Sequence, residues 1–163
     1  MQRVVHHRGF TLLELILVMI IIGTVLAIAA PSLRGTWEWT RTKDTANDLL
    51  QLTQWARSQA VSNSTTYRMN FANDGRTYWI TMQEGEEFIA TGRDLGNPIQ
   101  TPENTRVEMV RTGDNSRDYI DFFPNGRQEP ATIRVTDLQQ NAIVIVCPSP
   151  TEKFEIVPAE NQR

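Results

Sequence analysis

The sequence predicts an α+β fold, one long N-terminal helix followed by antiparallel strands, on three observations. An uncharged apolar run extends from Leu15 to Leu33. Behind it, Ala46, Leu49, Leu50, Thr53, Ala56 and Ala60 recur at three- and four-residue steps, the period of a helix with one core-facing side. From Thr66 onward, short runs rich in β-branched and aromatic residues alternate with Asn, Asp, Gly and Pro. At about 1.5 Å per residue the apolar run reaches roughly 28 Å, close to the hydrocarbon thickness of a bilayer. The first half of the helix is therefore expected to span a membrane and the second half to pack on a water-exposed domain.

The 163 residues leave room for one modest domain after the leader and the apolar run. The formal net charge of −3 becomes more negative if Met1–Gly9 is removed, because Arg3 and Arg8 leave with it. An acidic chain of this kind argues against nucleic acid as a partner. Cys147 is the only cysteine, so no internal disulfide is possible, and its apolar setting points to a small buried residue.

The N-terminus admits three readings. Arg3, Arg8 and an apolar core followed by Ala27-Ile28-Ala29 satisfy a general signal peptide, which would start the mature chain at Ala30. An uncleaved anchor would keep Met1. The third places cleavage in Gly9-Phe10-Thr11-Leu12-Leu13-Glu14, and only this reading uses the Gly-Phe junction and the acid at the mouth of the apolar helix. A carboxylate at the centre of a membrane helix costs on the order of 2.5–3.5 kcal/mol, so Glu14 needs a partner or a purpose. Thr11 and Glu14 also have the spacing of a capping box, which satisfies amide groups at a helix start and requires no other protein.

Further along the helix, Gly23, Ala27 and Ala30 form a small-residue stripe that permits close helix approach. Pro31 lacks an amide hydrogen and is expected to kink the helix there, or with Ser32 to end one helix and begin the next. Trp37 and Trp39 fall where indole rings favour a membrane interface, or pack locally. The amphipathic half is expected to end near Asn63, in the polar run Ser62-Asn63-Ser64-Thr65-Thr66.

Strands are expected at Thr66–Phe71 and Thr77–Met82, flanking Asn73-Asp74-Gly75, where asparagine and glycine tolerate positive backbone angles. Others are expected at Arg106–Val110, Tyr119–Phe123, Thr132–Val135, Ala142–Cys147 and Lys153–Val157, with a turn at Pro124-Asn125-Gly126. The segment from Glu84 to Pro102 reads as an irregular loop suited to partner contacts.

The Gly9-Phe10 junction resembles the processing site of type IV prepilins and pseudopilins. Ala56-Arg57-Ser58-Gln59-Ala60-Val61 and Phe122-Phe123-Pro124-Asn125-Gly126-Arg127 resemble the GspH/FimT family of minor pseudopilins and minor type IV pilins. The resemblance implies a pilin-like fold in three parts: a leader over 1–9, a transmembrane and assembly helix over 10–33, and a periplasmic domain over 34–163. It implies cleavage between Gly9 and Phe10, N-methylation of Phe10, and pairing of the Glu14 carboxylate with a terminal amine during assembly. It also implies a helix kink at Pro31 and a single-pass inner-membrane location. The implied partners are other pseudopilins or pilins, a prepilin peptidase, and an inner-membrane assembly platform with its ATPase. The function implied is a minor pseudopilin of type II secretion; the alternative is a FimT-like minor pilin in pilus assembly or DNA uptake.

Catalysis finds little footing. His6 and His7 both lie in the leader, which leaves the rest of the chain without the commonest neutral-pH base and metal ligand. No cofactor is implied. Glu84, Glu86 and Glu87 lack the alternating oxygen spacing of a calcium loop and read as a solvated acidic loop. DNA uptake would need a basic strip. Lys43 and Lys153 are the only lysines, and Arg106, Arg111, Arg117, Arg127 and Arg134 are interspersed with acids. Pro148-Ser149-Pro150-Thr151-Glu152 stands where glycine and arginine are expected in a DNA-binding member.

Overall fold

A computed structural model of the chain describes residues 11–92, 96–110 and 117–157, with the side chains of 28–38 left out. The chain divides into two units, Met1–Trp37 and Glu38–Arg163. Among the described residues one helix, α1, is assigned over Leu12–Asn63, and nine strands follow it.

In the first unit, Thr11 caps the helix: its Oγ1 accepts the Glu14 amide at 3.2 Å, and its carbonyl accepts the Leu15 amide at 3.2 Å. Every described side chain from Leu12 to Ala27 is exposed. Among the described residues no helix is long and apolar enough to cross a membrane. The predicted span runs on to Leu33, through residues whose side chains lie outside the description.

In the second unit the predicted helix face is the buried one. Ala46, Leu49, Ala56 and Ala60 are fully buried, with Leu52 and Thr53 nearly so. The Thr53 hydroxyl sits in the core without penalty because it donates back to the Leu50 carbonyl at 2.7 Å. The helix stops at Asn63 because Ser64 turns into the left-handed region at φ 51. The Thr65 amide then reaches the Ala60 carbonyl and the Ser64 amide the Val61 carbonyl, the paired bonds of a Schellman motif. The polar run ends the helix through this backbone reversal, with its side chains in a secondary role.

Strands β1 (Tyr67–Phe71), β2 (Thr77–Glu84), β3 (Glu87–Ala90), β4 (Ile99–Gln100) and β6 (Tyr119–Phe122) form an antiparallel sheet in the order β3-β2-β1-β6, with β4 also on β2. The second sheet has the order β5-β7-β8-β9, from β5 (Thr105–Val110), β7 (Ala131–Asp137), β8 (Ala142–Cys147) and β9 (Glu155–Val157). Alternation decides which side chains point inward: Tyr67, Met69 and Phe71 of β1 are buried and their neighbours are not. Met69, Ile80, Ile120 and Phe122 of the first sheet, and Ile133, Val135 and Ile145 of the second, meet the helix residues in one core.

The seven expected strands are present, with ends that coincide or shift by at most two residues. The expected loop from Glu84 to Pro102 is corrected: it carries β3 and β4, while residues 93–95 lie outside the description. Gly85-Glu86 makes a two-residue turn with glycine first, at φ 64, and Glu84 pairs with Glu87 across it. The strands were illegible because Glu-Phe-Ile-Ala is too short to show a period, and a two-residue strand shows none.

Three tight turns share one construction. The amides of Gly75, Gly126 and Gln140 reach the carbonyls three residues back, of Ala72, Phe123 and Asp137, and all three residues have positive φ. Asp74 and Asn125 each brace their turn by accepting the amide two residues on, at 2.8 and 3.0 Å. Of the predicted Asn73-Asp74-Gly75 signal, only Gly75 adopts the positive angle. A Cβ there would lie 3.3 Å from the Val107 carbonyl, and the Gly75 carbonyl accepts the Val107 amide at 2.8 Å, so this hairpin tip joins the first sheet to the second.

Candidate assembly surface

Of the residues singled out at the N-terminus, Gly9 and Phe10 lie outside the described residues. Glu14 occupies the third helical position, exposed, with no side-chain partner among the described residues. Its backbone amide is the one Thr11 caps, so the capping half of the Thr11–Glu14 spacing is present while its carboxylate stays uncommitted. The apolar side chains behind it are bare: Leu12 is 81% and Leu26 62% exposed. Gly23 has open space where a Cβ would stand. Helical backbone is assigned through Pro31, whose side chain lies outside the description. Trp39 is exposed, and the Trp37 side chain lies outside the description.

A second feature gathers the two internal segments that the sequence singled out. Arg57 donates from its two terminal nitrogens to the Thr151 and Glu152 carbonyls, at 3.2 and 3.3 Å. Gln128, one residue beyond the Phe122–Arg127 segment, is buried and donates to the Glu152 carbonyl at 2.7 Å and to the Cys147 sulfur at 3.1 Å. The Cys147 thiol in turn faces the Ser149 carbonyl at 3.1 Å. Helix, turn and strand thus clasp the loop from Pro148 to Glu152 through its carbonyls, and Cys147 is a buried structural residue, as its surroundings in the sequence imply. Nothing in the spacing of Arg57, Gln128 and Cys147 reveals that they converge; only the fold brings them together.

On the outer face of the first sheet, Arg68 pairs with Asp121 across β1 and β6 and lies between the rings of Phe88 and Tyr119. Arg117 bonds Glu129 at 3.2 Å. Arg134 stands directly opposite Glu108 in the β5–β7 register, and Arg111 lies outside the description. Arg68, Arg117 and Arg134 are each set against a carboxylate and form no continuous basic strip among the described residues. Among the described residues no group of three potential ligands is arranged to hold a metal ion.

A long helix, apolar and uncovered at its start, with antiparallel sheets packed on its later turns, defines a pilin-like subunit. The family model for type II transport protein GspH matches residues 45–150, and that for the prokaryotic N-terminal methylation motif matches residues 5–30. The chain belongs to the type II transport protein GspH family. Among solved structures it resembles the minor pseudopilin EpsH of the Vibrio cholerae type II secretion system, with TM-score 0.63, 9% identity, and 76% of this chain and 98% of that one covered. It also resembles Escherichia coli GspH, with TM-score 0.60, 12% identity, and coverage of 76% and 92%. For the type IV minor pilin FimU of Pseudomonas aeruginosa the TM-score is 0.58, with 16% identity and coverage of 76% and 93%. These likenesses establish the fold. No curated protein matches the sequence.

Proposed function

We propose that this chain is a minor pseudopilin of a type II secretion system, anchored in the inner membrane by α1 with its sheet domain in the periplasm. The observation that carries the reading is the exposed apolar surface from Leu12 to Ala27. Such a surface is costly in water, at about 25 cal/mol per Å² of apolar area. A bilayer or the helices of neighbouring subunits relieve that cost, and a pseudopilus offers them in turn.

On this reading a prepilin peptidase cuts between Gly9 and Phe10, and Phe10 becomes the methylated terminus. Glu14 then meets a positively charged terminal amine as the subunit leaves the bilayer, where low dielectric strengthens the pair and makes the unpaired acid unfavourable. The helix kinks at Pro31 where subunits adjust to one another. Partners are fellow pseudopilins and an assembly platform driven by its ATPase. The chain's role is assembly, and it is the substrate of a peptidase.

The test is N-terminal sequencing of the mature protein together with co-purification of other pseudopilins from Glu14→Leu cells. Phe10 as first residue, and loss of co-purification with membrane insertion intact, are expected. A mature chain beginning at Ala30 or Met1, or unchanged co-purification, would overturn the reading. The FimU likeness keeps a minor type IV pilin as the second reading; a deletion strain that secretes normally but loses pili would favour it.

A further inference from the structure

An open groove of about 380 Å³ runs beside the clasped loop, between Gln54, Arg57, Ser58 and Val61 of α1 and Lys153 with Phe154. Gln54, Ser58 and Val61 are exposed along one helix face, and buried Phe154 closes the floor. Arg57 is held in place by the Thr151 and Glu152 carbonyls, which engage only part of its five-donor fork. The Lys153 ammonium has no hydrogen bond or ion pair among the described residues, and the nearby Glu152 carboxylate is turned to the Ser149 hydroxyl at 3.1 Å. The chain carries 19 acidic and 16 basic side chains, yet no acid among the described residues lines this groove. A concave wall with two cations and no anion concentrates positive potential, which selects a negatively charged occupant.

We infer that this groove docks an acidic peptide segment presented by a neighbouring pilin-like subunit. A carboxylate sits between Arg57 and Lys153, and an aliphatic side chain beside it packs on Val61. The open groove leaves room for a peptide segment, and the exposed Val61 supplies the apolar contact that a small free anion would not use. The inference rests on the assembly role proposed above.

The test places the photo-crosslinking residue p-benzoylphenylalanine at Ser58 in the full-length chain, in cells that carry its own assembly machinery. Expected is an adduct with another pilin-like subunit whose captured peptide contains Asp or Glu, kept in Lys153→Arg and lost in Lys153→Glu. Lys153 is exposed and outside the clasp, so its replacement leaves the fold intact. Absence of an adduct, an adduct indifferent to Lys153→Glu, or capture of a second copy of this chain or of a peptide without acids would overturn the inference. Processing at Phe10 and co-purification of other pseudopilins are measured on the same samples. If both persist without the adduct, the groove assignment alone fails; if both are lost in the unmutated chain, the assembly reading fails and takes the groove with it.

Discussion

Arg68 grips Asp121 with two parallel hydrogen bonds of 2.7 and 2.8 Å, while its guanidinium lies 3.7 Å from the ring centroids of both Phe88 and Tyr119. Three strands are tied by one planar cation: β1 supplies the arginine, β6 the carboxylate and one ring, and β3 the other ring. The Arg68 pKa is raised, first by the Asp121 hydrogen bond and against the opposing effect of burial. The stability that this shift contributes is fully present below the ordinary arginine value and is lost only as pH rises above it, so the arginine's contribution does not change across the neutral range.

Arg68→Ala should lower unfolding stability by about 2–4 kcal/mol, because it leaves the nearly buried Asp121 without its partner and removes the stacking. Arg68→Lys should recover less than half of the loss, since a point charge offers neither the planar fork nor a stacking face. Urea denaturation of the three proteins in one detergent measures both differences.

Tyr78 gives a pH dependence with a defined window. Burial, helped by the nearby Asp48 charge, pushes its pKa up to about 12 from 10.0. The neutral form is favoured in the fold, so the stabilisation is complete below pH 10 and is lost as pH rises toward 12. Denaturation series at pH 9 and pH 11.5 should show a fall that Tyr78→Phe reduces by roughly 1–2 kcal/mol. An identical fall in both proteins would exclude Tyr78 as its source.

Among the described residues two non-glycine positions hold left-handed backbone, Ser64 at φ 51 and Gln140 at φ 65. Glycine removes the Cβ conflict at such positions, so Ser64→Gly and Gln140→Gly should each raise stability by up to about 1 kcal/mol. A fall in melting temperature for either would show that the side chain contributes more than its backbone strain costs.

Asp137 organises the turn before β8: one carboxylate oxygen accepts the amides of Gln139 and Asn141 at 2.8 and 2.9 Å, and the other accepts the Asn141 side chain at 2.8 Å. Asp137→Ala strands these donors and should cost about 2–4 kcal/mol. Asp137→Asn should cost less, because one oxygen still accepts. Hydrogen exchange of the Gln139 and Asn141 amides reads the effect locally.

Thr11 and Glu14 separate capping from assembly. Thr11→Ala removes the acceptor of the Glu14 amide and should weaken the helix start by about 0.5–2 kcal/mol, while co-assembly is retained. Glu14→Gln keeps the helix and should lose co-assembly, since an amide carries no charge to meet an amine. Equal co-assembly defects in the two variants would mean that the acid acts only through the helix start.

The α+β class, the helix from the apolar run to Asn63, seven strands and the hairpin around Gly75 were all legible in the amino-acid order, because each rests on local periodicity or on the conformational range of one residue. The exposed apolar segment was legible for the same reason: a contiguous apolar run headed by one acid needs no fold to be recognised. Tertiary structure alone decided the rest. β3 and β4 exist because β2 offers them an edge, and Arg68 meets Asp121 because register aligns residues 53 positions apart. Arg57 and Gln128 converge on the Glu152 carbonyl from elements distant in sequence. Pairings of that kind depend on closing long loops around a shared core, and no window of neighbouring residues encodes them.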